Sequence, residues 1–444
     1  MKQILGTLFL YFTVVNLLMA QDTLLLNFTE AVQLGVKQNI TYRVLQNEQA
    51  QLRLEKTNAK LGHLPSLNIS NSAFRQVGQQ FQQVEGQVIV TNEINDILSS
   101  RISAQMPIYN GGRRINRSAA SVYFEEAGQL GLLAASQDVI FTISQQYLQA
   151  LLDGELYQIA LENLKNQQTL LEQITGFVET GLRTQADLYN QQAEVARLES
   201  VAVQSKILWE SSLWILAETL QLEEETFPVL SPVPVEDMVD TYLALPLQEL
   251  YQQAMHQRQD LKQQQVLEQA NKKILAVSRS ARLPQLNLFM EYSSFYTSLD
   301  ERSLREQFIQ VYPQRNIGFS FSIPIFNNYD QMAAIGRSRV ALQNQQLGLG
   351  ALERRIFQEV KLAYENYSGA TKREEATNAQ LRAATLAQEA ISERFRLGVS
   401  NFVDLAQANQ QLVTAQSDNA QAKYSLFFQQ IMLAYVLGDI HQAD

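Results

Sequence analysis

The 444-residue chain has no Cys, so neither a disulfide nor an acylated amino-terminal Cys can form. Its three His, His63, His256 and His441, stand far apart with no neighbours at metal-ligand spacing. No Gly-rich phosphate loop and no nucleophile elbow is present. No catalytic residue, cofactor or metal site is therefore expected, and the chain does not read as an enzyme. Proline is scarce, with nine residues, and none interrupts the long periodic segments. A net charge of −10 and a pI near 5.1 argue against a nucleic-acid partner. Beyond the first 20 residues no apolar run is long enough for a membrane-spanning helix, which needs about 20 residues.

What the chain does have, it has twice. Leu64-Pro65-Ser66-Leu67-Asn68-Ile69 returns as Leu283-Pro284-Gln285-Leu286-Asn287-Leu288, an offset of 219 (283 − 64). Met106-Pro107-Ile108-Tyr109-Asn110 returns as Ile323-Pro324-Ile325-Phe326-Asn327, at an offset of 217 (324 − 107). Phe177 to Leu182 returns as Arg394 to Val399, again at 217, with Asp187-Leu188 matching Asp404-Leu405. Three anchors in one order describe a duplicated half-protein, since the unit is too long for a solenoid repeat. The two-residue slip falls between the first and second anchors and marks that stretch as loop-rich.

The front end reads as a secretory signal. Lys2 supplies a positive start, Ile4 to Leu18 is apolar apart from Thr7, Thr13 and Asn16, and Met19-Ala20 precedes the first charged stretch. Cleavage is expected after Ala20, although Leu18 is bulky for its place three residues before the cut.

About one residue in eight is Gln, and Ala and Leu are abundant, a composition that favours long helices with polar but weakly charged faces. Ile356, Val360, Ala363, Tyr367, Ala370, Glu374, Thr377, Leu381, Ala384, Gln388, Ile391 and Phe395 alternate by four and three. Leu405, Ala408, Leu412, Ala415, Asn419, Ala422, Leu426, Gln429, Leu433 and Val436 do the same. A sustained period of about 3.5 residues means helices that supercoil left-handedly around neighbours. The equivalent run in the first half extends from about Gly112 to Val178, which at about 1.5 Å per residue is on the order of 100 Å.

Between the leading helix and the long helix of each half the period changes to two. Ile317, Phe319, Phe321, Ile323 and Ile325 alternate with Asn316, Gly318, Ser320, Ser322 and Pro324. Leu98, Ser100, Ile102, Ala104, Met106 and Ile108 alternate with Ser99, Arg101, Ser103, Gln105 and Pro107. Leu286, Leu288, Met290, Tyr292 and Tyr296 give a third strand, and Leu67, Ile69, Ala73 and Val77 a fourth. Each half thus holds a hairpin with a long polar loop, 79–96 in the first and 299–315 in the second. The polar partners are Ser, Asn, Gly and Gln more than Lys and Glu, as suits a water-filled lumen. Four strands cannot close alone, and lipid forbids an open edge. Closure at an even number of at least eight needs more chains, and three copies would supply twelve.

These features together resemble the TolC outer-membrane efflux protein family: a signal peptide, two repeats, hairpins ending in Pro-Ile-Tyr-Asn-Gly-Gly or Pro-Ile-Phe-Asn-Asn, and turns at Thr180-Gly181-Leu182 and Leu397-Gly398-Val399. The resemblance covers essentially the whole mature chain. It implies a mainly α fold with a membrane β-barrel portion: four strands per chain close as a 12-stranded barrel in a homotrimer, and duplicated long coiled-coil helices continue it as a periplasmic tube. The implied domains are a signal peptide at 1–20 and a first repeat at 21–222, with its hairpin near 66–109 and long helical hairpin near 112–222. A Pro-rich linker at 223–246, carrying Pro228, Pro232, Pro234 and Pro246 and lying on the outside of the tube at its equator, would follow. The second repeat spans 247–438, with its hairpin near 286–326 and helical hairpin near 330–438, and 439–444 is a short tail. The implied function is the exit duct of a tripartite efflux or type I secretion system. It would sit in the outer membrane with its helices in the periplasm, working with a periplasmic adaptor and an inner-membrane RND or ABC pump.

The functional end is expected at the helical turns. Gly181 and Gly398 stand where a helix stops with a left-handed residue, and Thr184-Gln185-Ala186-Asp187 and Asn401-Phe402-Val403-Asp404 read as capped restarts. Both Asp residues therefore have a capping role available in addition to any role at a pore. By resemblance, Thr180, Gly181, Leu182, Leu397, Gly398 and Val399 would touch an adaptor, and an Asp ring at Asp404 would select cations. The family's second acidic position, one turn later, is Gln407 here. Its gate arginine is also displaced: Ser400 stands two residues past the second Gly, and Arg183 is at the matching place in the first repeat. The periplasmic gate is thus assigned to Arg183, Asp187, Phe395 and Asp404, held by an Arg183–Asp lock or by Phe395 as an apolar plug. The competing reading is an exported coiled-coil scaffold without a pore.

Overall fold

In the computed structural model the described residues are 23–84, 86–92, 94–223, 226–233 and 245–440. The signal segment, most of the Pro-rich linker and the end of the tail lie outside them. In the first half the elements run β1 (Thr23–Leu26), α1 (Phe28–Gln38), α2 (Ile40–Leu61), β2 (Ser66–Gln76), β3 (Gln80–Val84), β4 (Gln87–Thr91), β5 (Asn95–Asn110), α3 (Arg113–Glu179) and α4 (Gln185–Thr219). The second half continues with β6 (Phe227–Leu230), α5 (Leu247–Gln257), α6 (Gln259–Ser280), β7 (Gln285–Thr297), the one-turn α7 (Leu304–Glu306), β8 (Gln314–Ser322), α8 (Asp330–Arg396) and α9 (Phe402–Leu437). Stripped of β3, β4 and α7, the order helix–helix–strand–strand–long helix–helix occurs twice.

The chain divides into two compact units that cut across this duplication. One comprises 1–47, 131–261 and 351–444, the other 48–130 and 262–350, and both 67-residue helices, α3 and α8, have residues in each. In the first unit Val32, Val36, Ile140, Ile143, Tyr147, Leu216, Leu220, Phe427 and Ile431 form one buried cluster. Buried at its edge, the Tyr147 hydroxyl lies 2.7 Å from the Ser231 carbonyl and 3.0 Å from that of Leu26. It thereby ties down the parallel pair β1–β6, in which Thr23 faces Phe227. Sequence reading missed this pair, because each partner is only four residues long and 204 residues separate them (227 − 23). The heptad positions behave as their spacing requires: Ile356, Val360, Ala363, Tyr367, Ala370, Thr377 and Phe395 are buried along α8, as are Leu405, Ala408, Ala415, Ala422, Leu433 and Val436 along α9. Where Leu would fill a drier seam, amides pair instead. Gln191 and Gln167, both buried, join through Nε2 to the backbone carbonyl at 2.8 Å and to Oε1 at 2.9 Å, and Gln388 donates to Asn409 at 2.9 Å.

In the second unit the four predicted strands form one antiparallel sheet in the order β2-β5-β7-β8. The two hairpins are thus joined edge to edge through β5 and β7. Register places Leu67, Ala104, Met290 and Ile317 in one row across the sheet, with Ile69, Ile102, Tyr292 and Arg315 in the next row along the same face. The opposite face carries Asn68, Ser103, Glu291 and Asn316, with Arg101 3.5 Å from Glu291. Two details differ from expectation. The 79–96 loop is not irregular, since β3 and β4 pair within it with Phe81 opposite Val90. The last strand ends at Ser322 rather than near 326, because Pro324 has no N–H for a ladder bond. The 299–315 loop is folded too: Asp300 accepts from Arg302 and, at 2.6 Å, from Tyr312, which together hold its carboxyl far below the usual carboxylate range despite burial.

Each leading helix, read as continuous, is broken once, at Asn39 and at Arg258. Arg258 is buried and bridges Asp260 (2.8 Å) and Glu359 (2.6 Å). At the foot of the sheet Gly111 has φ +65°, and a Cβ there would lie 2.6 Å from both Leu283 Cβ and the Ser280 carbonyl oxygen. Gly111→Ala is therefore expected to cost about 2–4 kcal/mol, combining left-handed strain with overpacking against backbone. Gly112→Ala, at φ +76° but with only Asn116 Nδ2 at 3.5 Å, should cost about 1–2 kcal/mol for the backbone alone. Urea unfolding of the reconstituted protein compares the two, and equal midpoints would mean that the Gly111 contact relaxes freely.

Candidate functional site

The two helical hairpins of the first unit end in turns built alike. After α3, Gly181 (φ +78°) lets the Leu182 N–H return to the Phe177 carbonyl at 2.8 Å while its own N–H reaches Val178 at 3.0 Å. After α8, Gly398 (φ +77°) does the same, Val399 N–H to Arg394 at 2.9 Å and Gly398 N–H to Phe395 at 3.0 Å. Both are Schellman closures, in which a left-handed residue satisfies carbonyls that the helix leaves open. An L side chain at either Gly would be strained, which is why the turn sequence repeats.

Restart is by capping, as the spacing implies. Thr184 Oγ1 accepts from the Asp187 N–H at 3.2 Å, and Asp187 Oδ2 accepts from the Thr184 N–H at 3.2 Å and its hydroxyl at 2.9 Å. In the second turn Asn401 Oδ1 accepts from the Asp404 N–H at 2.8 Å, and the Ser400 hydroxyl donates to Asp404 Oδ2 at 2.9 Å. Each carboxylate also lies at the positive end of its helix.

Arg183 engages Phe395. Its guanidinium carbon sits 4.2 Å from the centre of the Phe395 ring, and Nη2 donates to the Phe395 carbonyl at 3.4 Å. No ion pair between Arg183 and Asp187 or Asp404 occurs among the described residues of the single chain. The neighbouring arginine, Arg396, is taken by Glu393 at 2.6 Å. Phe395 is itself only 5% exposed, so within one chain it is a covered seam residue with Arg183 as its lid. This link joins positions 212 residues apart and had no signal in spacing or periodicity. Other residues at the turns are open to solvent: Leu182 is 71% exposed, Val399 66%, and Leu397, Val403 and Tyr189 are also exposed. Together they leave exposed apolar side chains at both hydrogen-bonded turns. Arg183, Phe395 and the two Asp residues are thus gathered into one region, but with Arg183 serving the aromatic ring.

Among the described residues no group of three or more His, Cys, Asp or Glu is placed to hold a metal ion, and no helix is long and apolar enough to cross a membrane. The latter leaves a barrel untouched.

Comparison with known proteins gives a consistent picture. The family model described as "Outer membrane efflux protein" matches residues 250–439. The pyoverdine export outer membrane protein OpmQ of Pseudomonas putida is 24% identical over 343 residues, covering 75% of this chain and 68% of that protein. Outer membrane protein TolC of Escherichia coli is 21% identical over 280 residues, 62% of this chain and 56% of its own length. Among solved structures, CusC superposes with a TM-score of 0.80 at 18% identity, covering 93% of this chain and 92% of that one. The outer-membrane channel OprN gives 0.80 at 18%, covering 94% and 91%. Campylobacter jejuni CmeC gives 0.79 at 16%, covering 94% and 87%.

Proposed function

Because this chain belongs to the TolC family of outer-membrane efflux proteins, we propose that it is the outer-membrane exit duct of an export system, a homotrimer whose three four-stranded sheets close one 12-stranded barrel. The single observation that carries this reading is the sheet. Its outer strands β2 and β8 have free edges, and one of its faces is apolar yet exposed, with Phe319 68% and Ile317 70% accessible. A sheet packed on helices in water would bury that face, and lipid would require both edges to be paired. Three copies satisfy both conditions, β8 of one meeting β2 of the next. The relatives are channel proteins rather than enzymes, which accords with a chain lacking catalytic groupings. A scaffold without a pore gives no account of the exposed apolar face.

In this reading the barrel lies in the outer membrane and the helices extend into the periplasm. The turns at Thr180-Gly181-Leu182 and Leu397-Gly398-Val399 are the contact for a periplasmic adaptor, since rigid Schellman closures with exposed apolar side chains suit docking better than solvation. The adaptor would connect the duct to an inner-membrane RND or ABC pump. Arg183, Asp187, Phe395 and Asp404 form the gate, with the Asp404 ring setting cation preference. Protein cross-linked after purification in detergent should stop at three chains. A monomer that stays folded in detergent would sink the closed-barrel reading.

A further inference from the structure

The four places where strand meets helix lie side by side at one end of the sheet, because Ser66 stands opposite Gln105, Asn110 opposite Gln285 and Gln285 opposite Ser322. They are tied together. Arg114 donates to the Gly62 carbonyl at 2.8 Å and to that of Pro107, Gln331 donates to the Ala281 carbonyl at 3.0 Å, and the Ser278 and Ser338 hydroxyls meet at 2.7 Å. Charge is concentrated here against the trend of the chain. Residues 56–65, 108–120, 277–284 and 323–340 hold nine Lys or Arg and one acid, Asp330, whereas the whole chain holds 35 Lys and Arg against 45 Asp and Glu. Two of the nine are engaged: Lys56 pairs with Glu125 at 3.0 Å, and Arg114 ties the junction. The other seven, Lys60, Arg113, Arg117, Arg279, Arg282, Arg337 and Arg339, are exposed, and none is in an ion pair among the described residues. Beside them, at the strand ends, Ile108, Tyr109, Ile325, Phe326 and Tyr329 are exposed.

Seven exposed cations grouped around the strand–helix junctions, Arg113 and Arg117 within eight residues of Tyr109, lie on the helix side of an exposed aromatic and aliphatic belt, the order expected at the boundary between hydrocarbon and phosphate. The headgroup layer is about 5–7 Å deep on each side of the hydrocarbon. Arg113 and Arg117, in the first five residues of α3, fall within about 8 Å of the strand ends. Guanidinium groups bind phosphate oxygens in pairs, and clustered Lys and Arg at a membrane surface select acidic lipid. We propose that these residues form a basic collar that binds the headgroups of anionic phospholipids in the leaflet from which the helices emerge. The inference rests on the barrel reading above.

The test uses the full-length trimer reconstituted in phosphatidylcholine vesicles containing trace spin-labelled phosphatidylglycerol or phosphatidylcholine. The wild-type protein should hold phosphatidylglycerol about tenfold over phosphatidylcholine, and the preference should collapse in 1 M salt, where the screening length is about 3 Å. Combined Arg113→Gln, Arg117→Gln, Arg279→Gln and Arg282→Gln should abolish it. Arg354→Gln, Lys372→Gln, Arg373→Gln and Arg382→Gln, exposed cations further along α8, should preserve it. Insertion with no preference for the acidic lipid, or a preference that the collar substitutions leave intact, overturns the collar alone. Failure of the wild-type protein to insert into any vesicle overturns the barrel reading and the collar with it.

Discussion

Ile317→Lys is expected to destabilise the assembled protein by about 2–4 kcal/mol per chain, the cost of a cation on the lipid face near the bilayer midplane. The position follows from register. β8 spans nine residues, Gln314–Ser322, and Ile317 lies beside its centre in a row with Met290, Ala104 and Leu67. Alternation alone puts Phe321 on the same face, but Phe321 is one residue from the strand end and two residues before Ile323. A Lys there reaches the headgroup region, where the penalty falls to about 0–1 kcal/mol. Asn316→Lys and Ser320→Lys, on the opposite face with Glu291 and Asn287, should be tolerated, because in the proposed barrel that face looks into water. Urea midpoints in vesicles, or the temperature at which the trimer dissociates on a gel, give the ordering. Equal damage from Ile317→Lys and Asn316→Lys would mean that the two faces see the same medium, and the sheet is then no barrel.

Arg183→Ser is expected to raise single-channel conductance in planar bilayers several-fold, by loosening the closed state. Arg183 joins the turn after α3 to the end of α8, through the ring and carbonyl of Phe395. A stacked guanidinium of this kind contributes about 0.5–1 kcal/mol at a partly exposed site, and three copies would act together in the proposed trimer. The contact also distinguishes two ways of holding a gate. If Arg183 works by neutralising rings of like-charged Asp, Arg183→Lys retains the function. If it works by lying flat on Phe395, Arg183→Lys loses most of it, and Phe395→Leu opens the channel as Arg183→Ser does. The geometry of the single chain favours the second. Asp404→Asn should leave the closed state intact, since Asn keeps an acceptor for Ser400, while reducing cation selectivity and block by divalent cations. Unchanged conductance in Arg183→Ser would reduce the charged residues to helix caps and leave closure to apolar packing.

Which parts of this were legible in the sequence depends on whether the signal is local. The heptads of α8 and α9 appear at residues that turn out buried or half-buried, because helix periodicity is written in consecutive residues. The strands show through alternation for the same reason, and the turns at Gly181 and Gly398 through a left-handed position that Gly tolerates and an Asx or Thr cap three residues before an Asp. Duplication reinforced each signal by repeating it 217 or 219 residues later. Tertiary structure decided what depends on distant partners. β1 and β6 are too short to show a period, and each exists because the other supplies its hydrogen bonds. Pairing of β5 with β7 joins the two hairpins into one sheet, an arrangement that alternation permits but does not select. Arg183 has three candidate partners within a few residues of the turn glycines. The carboxylates already carry capping hydrogen bonds, and packing sets a flat aromatic face under the guanidinium, so the choice falls to Phe395. Helix and strand identity are thus properties of the local chain, whereas the partner of a side chain or an edge is fixed by which surfaces the folded chain brings within reach.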